Sequence, residues 1–421
     1  MSIAGIKGMN DILPEDVATW QFVETTARSV FGAFGFNEIR VPVVEKTELF
    51  CRSIGETTDI VEKEMYTFTD RSDNSLTLRP EGTAPVMRSL IQHKLINQNP
   101  VQKLYYSGPM FRYERPQKGR YRQFHQIGAE VVGIDSPLID AQILVMLDHF
   151  FKQVGISDVA LQINSLGCPQ CRPGYRDALI AFLDQRLASL CSDCQRRFRQ
   201  NPLRALDCKV PGCKEATEEA PIVLDHLCAG CDDHFSAVRT HLQNLEVSFS
   251  INPRMVRGLD YYTKTTFEMI TNSLGSQNAV AAGGRYDGLI QKLGGPDLPG
   301  IGFAMGVERL VLLLSELKLT NAQIDLFIAA LGTEAQQHGF KLLSFLQRSG
   351  VRAEMDYTDK SLKSQMRRAD KLGARYSLII GEDELTKRSA PLRNMSGGEQ
   401  IDVDIDNFEG VLSTVAPAET L

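Results

Sequence analysis

The sequence predicts an α+β domain, interrupted by a cysteine-rich inserted module and followed by a compact α/β domain. Three observations predict it. Residues 103–113 and 121–132 read as antiparallel strands joined by the loop RPQKGR, in a region where strands and helices are otherwise mixed. Eight of the nine cysteines lie between Cys168 and Cys231. Beyond about residue 320, strands and helices alternate.

Taken in order, Pro14 opens a helix with Glu15 and Asp16 in its first turn, where a helix N-terminus favours acidic groups. Val17, Trp20, Val23, Ala27, Val30 and Phe31 recur at helical spacing, and Gly35 is placed to end the element. NEIRVPVVE reads as the strand that follows. Residues 76–92, LTLRPEGTAPVMRSLIQ, read as a strand, a Pro-Glu-Gly turn at the edge of a sheet, and a helix. SFSINPRMVRGLDYYTKTTFEMIT is strand-like, and the glycines of AAGGRYDGLIQKLGGPDLPGIGFAMGVERLVLLL allow tight turns and close backbone approach. In the last part, IDLFIAAL, VRAEMDY and RYSLIIG read as strands, with helices at 334–349 and 361–372 stopped by Gly350 and Gly373. Domain boundaries follow at 1–165 with 246–320, 166–245, and 321–421.

A chain of 421 residues with 43% hydrophobic residues builds sizeable cores without external staples. It contains no apolar run long enough to span a membrane, and MSIAGIKGMNDILPED lacks the features of a signal peptide, so the expected location is cytoplasmic. The net charge of −6 leaves any nucleic-acid contact to local basic patches. One such patch runs from Arg186 to Lys214, with seven basic and two acidic residues. The paired cysteines Cys168/Cys171, Cys191/Cys194, Cys208/Cys213 and Cys228/Cys231 suit tetrahedral zinc better than disulfides in a reducing compartment, and could hold one or two Zn2+ ions. Reduced thiols in a small helical module are the alternative. Cys51 stands alone.

The window GPMFRYERPQKGRYRQFHQIGAE, 108–130, is the densest in chemistry. Period-two alternation puts Arg122, Phe124, Gln126, Gly128 and Glu130 on one face of the second strand, with Ile127, Ala129 and Val131 opposite, and Arg112 and Glu114 on one face of its partner. Guanidinium groups suit phosphates, aromatic rings suit a purine, and Gln and Glu suit an amino or imidazole donor. Such a face holds a nucleotide beside a small polar substrate; a merely solvated strand face is the alternative.

This window, FRYERPQKGRYRQFHQIGAE, resembles motif 2 of the class II aminoacyl-tRNA synthetases, and GIGFAMGVERL, 300–310, resembles their motif 3. RVPVVE, with Pro42, is similar to the end of motif 1, which lies at a dimer interface in that class. RGLDYYTKTTFE, 257–268, and GGRYDGL, 283–289, resemble segments of the histidyl-tRNA synthetase family within it. The resemblance runs from KGMNDILP almost to the C-terminus. It implies a catalytic domain built on an antiparallel sheet flanked by helices, a C-terminal anticodon-binding domain, and a cytoplasmic homodimer with no membrane association. It also implies that L-histidine is activated with ATP and Mg2+ to histidyl-adenylate and pyrophosphate, then transferred to the 3′ end of tRNA(His).

Roles carried over from the family fall on individual residues. Arg112 matches the arginine on the ATP α-phosphate and Arg120 the one near the γ-phosphate. Glu114 and Phe124 match the residues that hold and stack on adenine, with Arg309 on the other side. Glu81, Thr83 and Gln126 match the site of the substrate amino group, and Glu130, Tyr262 and Tyr286 the imidazole pocket. Arg257 matches the arginine between substrate carboxylate and α-phosphate, which makes Arg112 and Arg257 the expected catalytic pair. Alternation would put Tyr261 and Tyr262 on opposite faces, with one of them, Tyr262, meeting substrate. In the last domain Lys360, Lys363, Arg367 and Lys371 recur at helical spacing, either as a solvated face or as an RNA contact. The cysteine-rich insertion is absent from many members, so the family supplies no metal ligands there. A related histidine-binding regulatory subunit of ATP phosphoribosyltransferase generally lacks the motif arginines and the anticodon domain, whereas Arg112, Arg257, Arg309 and the last domain are all present here.

Overall fold

A computed structural model of the chain describes residues 3–55, 58–257, 259, 261–274, 278–315, 323–358 and 360–416. It divides into two compact units, Met1–Lys318 and Leu319–Leu421; the expected boundary at 320/321 lies outside the described residues.

The first unit is built on an eight-stranded sheet whose order is Asn37–Glu38, Gln102–Phe111, Gln123–Val132, Gly300–Gly306, Ala279–Arg285, Thr263–Ile270, Ala160–Ser165 and Phe249–Ile251. Only the outermost pair on each side is parallel; the rest are antiparallel. One face is covered by the helices Pro14–Ala33, Pro137–Gln153 and Ala229–Asn244. Helix Pro14–Ala33 carries Pro at its start, and Gly35 ends it with φ +82°. Its Phe31 is fully buried against the rings of Phe36, Tyr105, Phe150 and Phe303, at centroid distances from 5.7 to 6.3 Å. The other face carries the shorter elements and the polar cavity described below.

NEIRVPVVE is not one strand. Asn37–Glu38 joins the large sheet and Val44–Lys46 joins a separate three-stranded sheet with Tyr66–Thr69 and Ser75–Leu78. Pro42, which has no N–H for a ladder, sits in the break. The register places Val44, Tyr66, Phe68, Leu76 and Leu78 on one face of the small sheet, and both Val44 and Phe68 are exposed. The strand-like segment after residue 247 is also broken: Phe249–Ile251 and Thr263–Ile270 are strands, with Asn252 and Pro253 ending the first.

A buried charge cluster ties the helical layer to the sheet. Arg285, fully buried, donates from Nε to Asp140 Oδ1 and Oδ2 at 2.8 and 3.0 Å, and from Nη2 to the carbonyl oxygens of Ile134 and Ser136 at 2.9 and 3.3 Å. Asp140 Oδ2 also meets His234 Nε2 at 2.8 Å. Every group of the cluster is thus partnered, the condition on which burying such charges depends.

Between Arg172 and His226 the chain forms a string of short helices around a small core of its own, including Tyr175, Leu179, Phe198, Cys213 and Val223. The second unit is a five-stranded sheet in the order Ala353–Met355, Leu326–Ala330, Tyr376–Ile380, Ser389–Asn394, Gln400–Asp404. The first three strands are parallel, as βαβαβ alternation predicts, with helices Thr333–Arg348 and Leu362–Lys371 as crossovers. The last two strands are antiparallel additions that polar sequence, SAPLRN and QIDVD, did not announce.

Candidate active site

A cavity of about 270 Å³ opens on the polar face of the central strands. Its floor is kept low by small residues: Ala282, Ala304 and Gly306 all line it. Gly128 is small for another reason, since a Cβ there would come within 2.4 Å of the Tyr106 ring. Alternation along Gln123–Val132 holds as expected. Phe124 and Gln126 line the cavity, while Ile127, Ala129 and Val131 enter the core under the helices.

The strand pair delivers a crowded set of cations. Arg112 and Glu114 lie just beyond the strand Gln102–Phe111, not on it, because the chain leaves the ladder at Phe111. Arg112 donates from Nε to the Pro80 carbonyl at 2.8 Å, and its guanidinium sits 5.2 Å from the centre of the Phe124 ring. Glu114 is buried, pairs with Arg120 and stands 4.0 Å from Arg112 Nη1. Reciprocal backbone hydrogen bonds of 3.0 and 2.9 Å between Gln117 and Arg120 close the loop. Arg309, on the helix Val307–Leu313, reaches this loop by donating to the Gly119 carbonyl at 3.2 Å and also pairs with the Ala279 carbonyl. Burial lowers the pKa of Arg112, Arg120 and Arg309, and for Arg309 the nearby Arg120 and Arg112 push the same way. Three partly desolvated, mutually repelling cations form a site that a polyanion relieves. Arg257 lines the same cavity and pairs with Glu268 on the strand Thr263–Ile270, across the sheet from Arg112.

The other end is a network of carboxylates and hydroxyls. Glu81 is buried and accepts from the backbone N–H of Thr83 and Ala84 at 2.7 and 2.9 Å, satisfying the start of helix Thr83–Gln92. Thr83 Oγ1 donates to Glu130 Oε1 at 2.6 Å, and Tyr286 Oη donates to Glu130 Oε2 at 2.5 Å. Burial raises the Glu130 carboxyl to about 8 against the pull of these two hydrogen bonds. Gly302 stands directly across, where a Cβ would lie 1.8 Å from Glu130 Oε2. Glu81, Thr83 and Gln126 line the cavity; Glu130 and Tyr286 lie behind its wall and connect to it through Thr83. Among the described residues Gln126 Oε1 and Tyr106 Oη are buried without a hydrogen-bond partner, and both side chains line the cavity.

The expectation that only one of Tyr261 and Tyr262 faces the site is corrected: both line it. They precede the strand that begins at Thr263, so alternation does not apply, and their rings meet at a 45° tilt with centres 4.7 Å apart. Sequence reasoning also missed Tyr106 and Glu268, whose pocket-side positions follow only from register with Gly128 and Ala282.

The family model for histidyl-tRNA synthetase matches residues 8–310, and one for an anticodon binding domain matches 325–414. This chain belongs to the histidyl-tRNA synthetase family. A histidine–tRNA ligase of Syntrophotalea carbinolica is 68% identical over 412 residues, covering 98% of each chain. One from Geobacter metallireducens is 65% identical, covering 96% of this chain and 98% of its own. The crystal structure of apo S. aureus histidyl-tRNA synthetase superposes with a TM-score of 0.83 at 37% identity, covering 98% of this chain and 100% of that one.

Two further features of this histidyl-tRNA synthetase family member bear on the sequence reading. The cysteines gather into two groups of four, Cys168/Cys171/Cys228/Cys231 and Cys191/Cys194/Cys208/Cys213, so that the second is nested within the first along the chain. In the second unit, Lys363, Arg367 and Lys371 are exposed along the helix Leu362–Lys371. Lys360 is corrected: it precedes the N-cap Ser361 and sits 3.9 Å from Asp356.

Proposed function

We propose that the chain joins L-histidine to ATP, releasing pyrophosphate, and passes the histidyl group to the 3′ end of tRNA(His). The observation that carries this reading is a single cavity with a cluster of partly desolvated guanidiniums at one side and the Glu81–Thr83–Glu130–Tyr286 network at the other. In adenylation the histidine carboxylate attacks the α-phosphorus and the bond to pyrophosphate breaks, so two anions must meet. Arg112 and Arg257 bring them together and stabilise the added charge of the transition state by position alone. Arg120 takes the γ-phosphate. Phe124 and Arg309 enclose adenine, and Glu114 accepts its amino group. Glu268 and Glu308, carboxylates on the cavity wall, are oxygen donors of the kind that share Mg2+ with nucleotide phosphates. Mg2+ held there would supply positive charge to the departing pyrophosphate.

The substrate amino group is held by Gln126, Glu81 and Thr83. The imidazole, with one donor and one acceptor, meets Tyr262 and the network of Glu130 and Tyr286. Burial raises the Glu130 pKa to about 8, so in the empty site the Thr83–Glu130–Tyr286 network is neutral at neutral pH and meets imidazole's donor and acceptor through its hydroxyls. A side chain lacking imidazole's donor–acceptor pair leaves a buried group unpaired, at about 1–3 kcal/mol each.

The chain acts as a cytoplasmic homodimer, a second copy covering the exposed apolar face of Val44 and Phe68 on the small sheet. Among the described residues no helix is long and apolar enough to cross a membrane. Lys363, Arg367 and Lys371 contact the tRNA anticodon arm, and the basic module around Arg186–Lys214 contacts the acceptor arm, its fold held by zinc. Pyrophosphate exchange into ATP, measured with each of the twenty amino acids, tests the reading: exchange with histidine alone, lost in Arg257→Ala, supports it. Histidine binding without exchange overturns it in favour of a sensor.

A further inference from the structure

The sulfur geometry of the inserted module goes beyond a general metal affinity. In each group of four cysteines all Sγ atoms lie within 4.8 Å of one another. Cys168 Sγ is 3.6 Å from Cys171 Sγ and 3.8 Å from Cys228 Sγ, and Cys191 Sγ is 3.9 Å from Cys208 Sγ. A disulfide would hold its sulfurs at about 2.05 Å. A tetrahedral ion with bonds of about 2.3 Å holds its sulfur ligands about 3.8 Å apart, which is the spacing found.

The backbone is shaped for the same purpose. Cys171 N–H donates to the Cys168 carbonyl at 3.0 Å and Cys231 N–H to the Cys228 carbonyl at 2.9 Å, so both Cys-x-x-Cys pairs of the first group turn alike. Backbone N–H groups are also aimed at sulfur, from Cys228 to Cys171 Sγ and from Cys191 to Cys213 Sγ, each at 3.1 Å. An N–H pointed at sulfur stabilises a thiolate ligand. Four thiolates around a dication leave a charge of −2, and the surplus of seven basic over two acidic residues between Arg186 and Lys214 offsets it.

The two groups occupy different places. Cys191, Cys194, Cys208 and Cys213 join short helices whose own core is too small to hold them. Cys168, Cys171, Cys228 and Cys231 stand at the root of the module. Cys168 follows the strand Ala160–Ser165, Cys171 is the N-cap of the helix Arg172–Asp184, and Cys228 is the N-cap of the helix Ala229–Asn244. Next to Cys171, the Arg172 guanidinium donates to the Tyr262 carbonyl and, from Nε, to the Leu166 carbonyl at 3.5 Å. A second cavity of about 230 Å³ is lined by Arg172, Tyr175 and Arg176 of the module together with Arg257, Leu259 and Tyr262. Tyr262 is thus tied to the module's root through Arg172, and Arg257 lines the cavity that the two share.

We propose that the module holds two structural Zn2+ ions, each in four cysteine thiolates, and that the root ion positions Arg257 and Tyr262 through Arg172. The second half rests on the histidine-site assignment above. Each ion displaces the protons of the four thiols it binds. Thiolate softness and four-fold tetrahedral geometry select zinc over harder cations.

Metal content of the full chain, purified under reducing conditions, should be two zinc per chain. Cys228→Ser and Cys194→Ser should each hold one, whereas Cys228→His and Cys194→His, which keep a ligand set of three cysteines and one histidine, should each hold two. Cobalt loaded in place of zinc should give thiolate charge-transfer absorption that halves in each serine variant. In pyrophosphate exchange the root variant should raise the histidine KM about tenfold more than the outer variant, with the ATP KM moving less. If a variant does not fold, stepwise release of two zinc equivalents from the unsubstituted chain by an organomercurial gives the same count. Fewer than two ions, or iron in their place, overturns the pair of zinc centres. Equal histidine KM values in the two serine variants overturn the positioning role. Absence of any histidine-dependent exchange in the unsubstituted chain would sink the functional assignment while leaving the metal count standing.

Discussion

Glu130→Gln separates the charge of the buried carboxyl from its shape. The carboxyl is raised from an ordinary 4.5 to about 8, with burial as the main cause, and it is 1% exposed. Its proton is therefore held in the folded chain up to about pH 8 but released from the unfolded chain near 4.5. Between those values the folded state binds one more proton, so this group's stabilising contribution is complete below about pH 4.5 and is lost as pH rises through 8. At about 1.4 kcal/mol per pH unit, the loss across the window is on the order of 5 kcal/mol. Glutamine can still accept from Thr83 and has no such term. Trp20, the chain's one tryptophan, packs its ring edge-on at 5.0 Å from His125 in the first unit, so its fluorescence reports that unit alone. Urea unfolding followed at Trp20 should show the variant gaining on the unsubstituted protein by roughly 1 kcal/mol per pH unit between pH 5.5 and 7.5. Parallel stability profiles would refute the argument, because they would mean that Glu130 is already ionised in the fold. In exchange assays the same variant should raise the histidine KM about tenfold, the value of one altered buried hydrogen bond.

Other perturbations have equally direct readouts. Asp140→Asn removes the fully buried carboxylate from Arg285 and His234, leaving Arg285 the partly exposed Asp287 at 3.1 Å, and should cost about 2–3 kcal/mol in the same Trp20 assay; a loss below 1 kcal/mol would show the cluster to be dispensable. Gly302→Ala drives a Cβ to 1.8 Å from Glu130 Oε2, against backbone on its other side, and should abolish histidine-dependent exchange more than it reduces folding. If a second copy covers the small sheet as proposed above, Val44→Asp with Phe68→Asp should shift sedimentation from dimer to monomer, and an unchanged profile would overturn that placement. Lys363→Glu with Arg367→Glu should weaken tRNA binding and flatten its salt dependence by about two phosphate contacts while leaving pyrophosphate exchange intact. Retained tRNA affinity would mark that helix face as merely solvated.

The parts of the molecule legible in the sequence are those where a local rule sufficed. Helix Pro14–Ala33 was bracketed by Pro14 and Gly35, and the core and cavity faces of Gln123–Val132 followed from period two. The C-terminal crossovers ended at Gly350 and Gly373, both with positive φ. Where neighbours decide, sequence fell short. Nothing local says that Tyr106 shares a register position with Gly128, or that Glu268 faces Ala282. Tyr261 and Tyr262 escape the period-two rule because they lie ahead of the strand that starts at Thr263. Arg285 looks like one residue of a glycine-rich segment, whereas its partner Asp140, and the His234 that meets Asp140 in turn, come from helices remote in sequence. Spacing proposed the cysteine pairs, but which pair joins which is a property of how the short helices fold back.

With zinc in both quartets, as proposed above, that nesting sets an order of assembly. A ribosome delivers Cys191 through Cys213 before Cys228 and Cys231 exist, so the inner quartet can close while its root is still open. Once it has closed, the chain between Cys171 and Cys228 is no longer a floppy loop but a compact bead, and bringing its two ends together costs far less entropy. The module is therefore able to mature from its tip inward, and the strands on either side, Ala160–Ser165 and Phe249–Ile251, become adjacent when the outer quartet closes.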